Sequence, residues 1–281
     1  MAQHSDLDLE RLHDTLRACT IGHTIDYHGE VASTMSLAHT LAELPATRSG
    51  HLVLAEEQQA GKGRRGRSWT APFGQALLVS VLLKPPMIPA PATYLPMAAC
   101  LAVGEAIKIA VPTLGDAVSL KWPNDVLLGH GRSAGKVAGI LVESSFVGDV
   151  PAVAIVGIGI NVNQQKDELP VVEGHMAKPM SLQSILGKRV DRTNLLLALC
   201  RQLEFFLDPQ MQQAAILDSW RSRLGMLGRT VAVYARPDST VPSLVGVAMD
   251  VASTGELLVR DADGEIHSLA AADVSIRDAD P

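Results

Sequence analysis

The sequence predicts an α+β protein. A large unit of mixed strands and helices spans 1–227, and a small all-β barrel spans 228–281. Two observations carry this reading. Before residue 228, apolar runs at strand period alternate with stretches whose apolar positions recur at helical spacing. From Gly228 the texture changes to short runs separated by turns such as Ser253-Thr254-Gly255 and Asp263-Gly264. The chain has 281 residues, 47% of them hydrophobic, enough for a substantial core.

In order, Leu9, Leu12 and Leu16 recur at helical spacing within 6–18, which predicts a short amphipathic helix. An extended segment follows, and Ser33 or Thr34 caps a helix starting near Met35. "HLVLAEEQQ" (51–59) reads as a strand running into a glycine loop, and "ALLVSVLLK" (76–84) as a buried strand. Four prolines punctuate 85–91, and 93–110 reads as a helix. "VSLKWPND" (118–125) is a strand ending in a turn. "KVAGILVES" (136–144) and "AVAIVGIGINV" (152–162) are apolar runs expected to be neighbours in one sheet. Residues 163–180 are polar and irregular, long enough for a mobile lid, and 191–208 and 211–224 read as helices. Beyond Gly228, "RTVAVYA", "VPSLVGVAMDV", "ELLVRD", "EIHSLAA" and "VSIRD" are five short strands.

Composition narrows the function. A formal net charge of −6 argues against a chain-wide nucleic-acid surface, and 4% aromatics argue against a base-stacking platform. Cys19, Cys100 and Cys200 are scattered, which fits a reduced cytoplasmic protein rather than a disulfide framework, and no Cys or His cluster suggests a metal site. The polar, acidic N-terminus shows no signal peptide, and no apolar stretch is long enough to span a bilayer.

Against that acidic background, Gly61 to Arg67 holds three glycines and four cations, Lys62, Arg64, Arg65 and Arg67. The stretch matches G-x-G-x-x-G and nearly matches a P-loop. Both motifs must open a helix, and "SWTAPFG" follows instead. What remains is chemistry: glycines let the backbone N–H groups approach a ligand, and the cations supply charge-assisted bonds to phosphate or carboxylate. A solvated basic hairpin is the plainer alternative.

Other segments add polar groups at strand ends. "KWPND" brings Lys121, Asn124 and Asp125 to a turn, where Asp125 either orients a metal-bound phosphate or accepts a proton, or simply caps the turn. Lys136 precedes a buried strand and can aim its ammonium into a cleft. Asn161 ends "IVGIGIN", where Gly157 and Gly159 leave room for a ligand ring.

"STM" (33–35), "EEQQAGKGRRGRSW", "KWPND", "KVAGILVE" and "GIGINV" occur in this order. As a set they resemble the biotin protein ligases, the biotin–[acetyl-CoA-carboxylase] ligase family, from about residue 24 to 277. The resemblance implies a class II aminoacyl-tRNA synthetase-like catalytic domain and a C-terminal SH3-like barrel. It implies ATP, biotin and Mg²⁺, formation of biotinyl-5′-AMP, and transfer to a lysine of a biotin carboxyl carrier protein. It assigns Ser33, Thr34, Gln58, Gly61, Lys62, Gly63, Arg64 and Lys136 to biotin, and Arg65, Arg67, Lys121, Asn124, Asn161 and Arg277 to ATP. Lys136, Arg64 and Asp125 are the candidate catalytic groups, and no resident metal ligands are expected.

Met35 stands where the family usually has Asn, and Lys62 where Arg is frequent, keeping the charge without the bidentate fork. Some members carry an N-terminal DNA-binding domain. Here one short helix precedes the matched region, so a ligase without specific DNA binding and without membrane association is expected, with homodimerisation left open. Lipoate–protein ligase and a non-enzymatic biotin-responsive binding protein are the alternatives.

Overall fold

The computed structural model describes residues 5–89, 91–171, 177–236, 239–271 and 275–278, by backbone alone at 132 and 275–278. Helix α1 (Leu9–Leu16) starts at Asp8, whose carboxylate accepts the Arg11 N–H at 2.9 Å, and it buries Leu12 and Leu16. Strand β1 (Ile25–Val31), helix α2 (Thr34–Ala42), β2 (His51–Gln58) and β3 (Ala76–Leu83) follow. Ser33 occupies the N-cap of α2 in extended conformation, but its hydroxyl makes no capping bond. The expected cap is there by position and not by chemistry, because Thr34 Oγ1 is taken up by Gln58 and Ser80.

Helix α3 (Tyr94–Ala110) is apolar almost all round, so it is buried rather than amphipathic. Strands β4 (Val118–Lys121) and β5 (Asp125–Leu128) flank the Trp122–Asn124 turn. Strand β5 was not legible as a separate element: four residues after a proline are too few to show a period. Strands β6 (Gly135–Val147) and β7 (Val150–Asn161) form an antiparallel hairpin, adjacent as expected. The five-residue α4 (Leu182–Leu186) was also unread, and α5 (Arg192–Phe206) and α6 (Gln213–Arg221) complete the helices.

Seven strands make one mixed sheet in the order β1-β2-β3-β7-β6-β5-β4, with β1 and β2 parallel and all other pairs antiparallel. Strand β3 lies inside it, and all its residues are buried. Leu77, Val79, Val81 and Leu83 join the main core, while Ala76 and Leu78 pack with Ala71 and Trp69. That division follows from the two-residue period of a strand.

Strands β8 (Thr230–Tyr234), β9 (Leu244–Val251), β10 (Leu257–Arg260), β11 (Ile266–Leu269) and β12 (Ser275–Asp278) form a separate antiparallel sheet, ordered β11-β10-β9-β8-β12. One hydrophobic cluster nevertheless runs under both sheets, with Val231, Ala248 and Leu257 in the same core as α3. Polar bonds join them too: Tyr94 Oη donates to the Ser253 carbonyl and Trp122 Nε1 to the Gly255 carbonyl, each at 3.0 Å. Gly255 has φ +99°, and a Cβ there would meet Met97 Cε at 3.0 Å, so glycine suits both the turn and the contact. Among the described residues no helix is long and apolar enough to cross a membrane.

Candidate active site

The glycine loop leaves β2 and folds back on itself. Gly63 N–H donates to the Arg67 carbonyl at 2.7 Å and Trp69 N–H to the Gly61 carbonyl at 2.9 Å. A Cβ on Gly61 would lie 2.2 Å from the Trp69 carbonyl oxygen, so only glycine permits this closure. At the tip Arg65 adopts φ 59°, a left-handed conformation that costs a non-glycine residue about 1–2 kcal/mol. The Arg65 guanidinium donates to the Ala235 carbonyl, and Arg64 Nη2 donates to the Ala271 carbonyl, so the loop leans on the second sheet.

Below the loop lies a cavity of about 530 Å³, in the range of small-ligand sites. Among the described residues, six cationic side chains line it, Lys62, Arg64, Arg65, Arg67, Lys121 and Lys136, against one carboxylate, Asp125. In a chain of net charge −6 this is a local concentration of positive charge. Burial pushes the Arg64 pKa below its ordinary value; Asp125 opposes this, and Arg67 and Arg65 add to it. Bringing an anion into the cavity relieves that repulsion.

Lys136 Nζ pairs with Asp125 Oδ1 at 2.7 Å and stands 5.4 Å from the centre of the Trp69 ring. Its backbone is held on both sides, N–H to the Lys178 carbonyl at 2.7 Å and carbonyl from Met180 N–H at 2.9 Å. Asn124 accepts from Arg64 Nη1 at 2.8 Å and donates to the Ile140 carbonyl. Gln58 Oε1 accepts from both the N–H and the hydroxyl of Thr34, at 2.8 and 3.0 Å.

Of the expected site residues, Thr34, Gln58, Lys62, Gly63, Arg64, Arg65, Arg67, Lys121, Asn124, Asp125, Lys136 and Asn161 line this cavity together. Ser33 and Gly61 are buried beside it and do not line it; Ser33 Oγ has no partner among the described residues. Arg277 pairs through its backbone with Ala232, and its side chain lies outside the described residues.

Two expectations take a more specific form in the structure. Gly157 and Gly159 line the cavity, and side chains of the protein itself share the space over them. A Cβ on Gly157 would meet Met35 Sδ at 2.7 Å, and one on Gly159 would meet the Trp69 indole at 2.4 Å. Met35 thus fills apolar space, in a cluster with Ala38, Val53 and Ile155. The described part of 163–180 reaches the cavity, as a covering segment would. Ala177 and Pro179 line the cavity, and the strand bridge at Lys136 and Pro179 ties the segment to β6. Residues 172–176 of that expected lid lie outside the described set.

Trp69 was not singled out from the sequence. The signal was present: glycines at 139, 157 and 159 leave flat spaces on one sheet face, and an indole stands ten residues beyond the loop's entry strand. The buried thiols of Cys100 and Cys200 are pushed up by burial, Cys200 to about 12, and neither is a nucleophile at neutral pH.

A mixed sheet carries a cationic glycine loop over a cavity whose described lining suits anionic ligands. Residues 29–161 match the biotin/lipoate A/B protein ligase family. The biotin–[acetyl-CoA-carboxylase] ligase of Paracoccus denitrificans is 33% identical over 81% of this chain and 91% of that protein. The ligase of the same description from Mycobacterium tuberculosis is 30% identical over 95% of each chain. The Aquifex aeolicus biotin protein ligase, solved with biotin and ATP, superposes with a TM-score of 0.71 at 27% identity, over 91% of this chain and 99% of that one. The chain belongs to the biotin/lipoate A/B protein ligase family, among the biotin protein ligases.

Proposed function

We propose that this chain activates biotin with ATP and transfers the biotinyl group to a lysine of a biotin carboxyl carrier protein. A biotin carboxylate oxygen attacks the α-phosphorus, the bond to the leaving pyrophosphate breaks, and biotinyl-5′-AMP results. The carrier amine then attacks the acyl carbon, AMP leaves, and an amide forms. The observation that carries this reading is one cavity whose described lining sets six cations against one carboxylate, with apolar walls at Met35, Trp69 and Ile158. Two mutually repelling anions require that charge, and an apolar bicyclic acid requires those walls.

In this reading Ser33, Thr34, Gln58, Gly61, Lys62 and Gly63 hold the biotin end. Arg64 and Lys136 neutralise the carboxylate and the phosphate. Arg65, Arg67, Lys121, Asn124, Asn161 and Arg277 serve the nucleotide. The Trp69 indole gives a purine a flat face to lie against. Mg²⁺ fits as an ion carried by the ATP phosphates, because Asp125 is a carboxylate in the described lining and such ions commonly take one or two carboxylates plus phosphate oxygens. When bound it would polarise the phosphoryl oxygens. The large unit, 1–227, is read as class II synthetase-like and 228–281 as an SH3-like barrel, on family resemblance.

Biotin-dependent exchange of labelled pyrophosphate into ATP tests the reading. Exchange is expected with biotin and not with lipoate; exchange with lipoate alone would transfer the chain to the lipoate ligases. The glycine loop gives a second test. Its like charges repel until an anion arrives, so tryptic cleavage at Lys62–Arg67 should slow when biotin and ATP are both present. Mass analysis of the fragments checks this, and equal cleavage with and without ligands would remove loop closure from the mechanism.

A further inference from the structure

Asn161 ends β7 on the same face as Gly159, over which the Trp69 indole lies. A base resting on that indole would turn an edge toward Asn161, which lines the same cavity. Two neighbours orient the Asn161 amide. The Met180 carbonyl only accepts, and Nδ2 faces it at 3.2 Å. Oδ1 is then left to accept, and Gln164 Nε2 donates to it at 2.9 Å. An amide oxygen has two acceptor sites and its nitrogen two N–H groups, so one of each stays available.

Gln164 is fully buried, and its carbonyl accepts from Ser181 Oγ at 2.6 Å, the residue that caps α4. Its own side-chain oxygen has no partner among the described residues. A buried unsatisfied acceptor is unfavourable, and leucine or methionine would fill the place without it. What glutamine adds is the N–H to Asn161. Adenine offers an amino donor beside a ring-nitrogen acceptor, which matches the remaining Oδ1 and Nδ2 of Asn161; guanine offers two acceptors and does not.

We infer that Gln164 is a positioning residue: with the Met180 carbonyl it holds the Asn161 amide, and its shorter bond sets the preference for adenine over guanine nucleotides. This rests on the ATP reading of the cavity. The test is biotin-dependent pyrophosphate exchange with ATP and with GTP, on wild type, Gln164→Met, Asn161→Ala and the double variant, with thermal melting alongside. Gln164→Met should raise KM for ATP about tenfold, leave kcat and the biotin KM within about twofold, and shrink the ATP-over-GTP preference about tenfold. In the Asn161→Ala background the same substitution should change the preference no further. Gln164→Leu serves if the methionine variant melts below the assay temperature. An unchanged preference, equal losses with both nucleotides, or independent losses in the double variant would overturn the inference. Wild type that shows no exchange with ATP would instead overturn the ligase reading, a separable result.

Discussion

Replacing Lys136 with methionine should slow formation of biotinyl-5′-AMP by about 10²–10³ while the protein stays folded. The ammonium sits 2.7 Å from Asp125 and over Trp69, with about a quarter of its side chain exposed. Methionine keeps most of the stem, so packing against the indole survives. The pair with Asp125 is partly solvated, and its loss should cost about 1 kcal/mol or less. The kinetic effect is larger because charge develops on the phosphoryl oxygens only in the transition state. Losing Lys136 also exposes the incoming anions to an uncompensated Asp125 carboxylate, so KM for both substrates should rise. Arginine should rescue only in part, since its planar fork sits differently from a point charge.

Transfer from synthetic biotinyl-AMP to the carrier should suffer less, because the mixed anhydride already exists. Pyrophosphate exchange, carrier labelling from synthetic adenylate, and melting of wild type and variant are the measurements. A folded variant with near wild-type exchange removes Lys136 from the chemistry. Equal loss in both half-reactions makes it a residue that holds the adenylate.

The Lys136–Asp125 pair illustrates what was legible and what was not. Both residues stood out as polar groups at strand ends, and each drew a separate role. That they touch depends on the β5–β6 register, which shifts by a bulge between Val126 and Leu127, and no local pattern announces a bulge. Strand β3, by contrast, declares itself in "ALLVSVLL", because burial on both faces makes the run apolar at every position but Ser80, whose hydroxyl is bonded to Thr34. Its neighbour β7 is contributed from far along the chain, and that pairing follows from topology rather than periodicity. The charged residues deepest in the protein were the least legible. Arg192 begins a helix and Glu56 lies in "AEEQQ", both ordinary places for solvated charge.

Arg192 and Glu56 are the basis of the largest stability effect expected. Neither side chain is exposed, and Arg192 Nη1 bonds Glu56 Oε2 at 2.7 Å and the Ala76 carbonyl at 3.0 Å. Nε reaches Asp6 Oδ1 at 2.6 Å, and Glu56 Oε1 accepts from Tyr27 Oη at 3.0 Å and from Ser5 Oγ. The network joins the N-terminal segment, β1, β2, β3 and α5 two residues before Gln58 enters the site. Arg192→Met should destabilise by about 3–5 kcal/mol, lowering Tm by roughly 6–20 °C, because Glu56 is left charged and buried without its partner. Arg192→Met with Glu56→Leu should recover most of that loss, since two apolar side chains need no compensation. Acid adds a signature. Burial raises the Asp6 pKa, but hydrogen bonds and charge from Arg189 and Arg192 outweigh it, and the net lies below the ordinary value of 3.8. The stability this lends is present above that value and fades as pH falls through the lowered one. With Arg192 gone only Arg189 remains, so the variant should show a shallower loss of stability in the window below about pH 4. Denaturant melts from pH 2 to 7 on wild type and both variants measure all three effects. A double variant as unstable as Arg192→Met would show that the arginine matters for packing and not as counter-charge to Glu56.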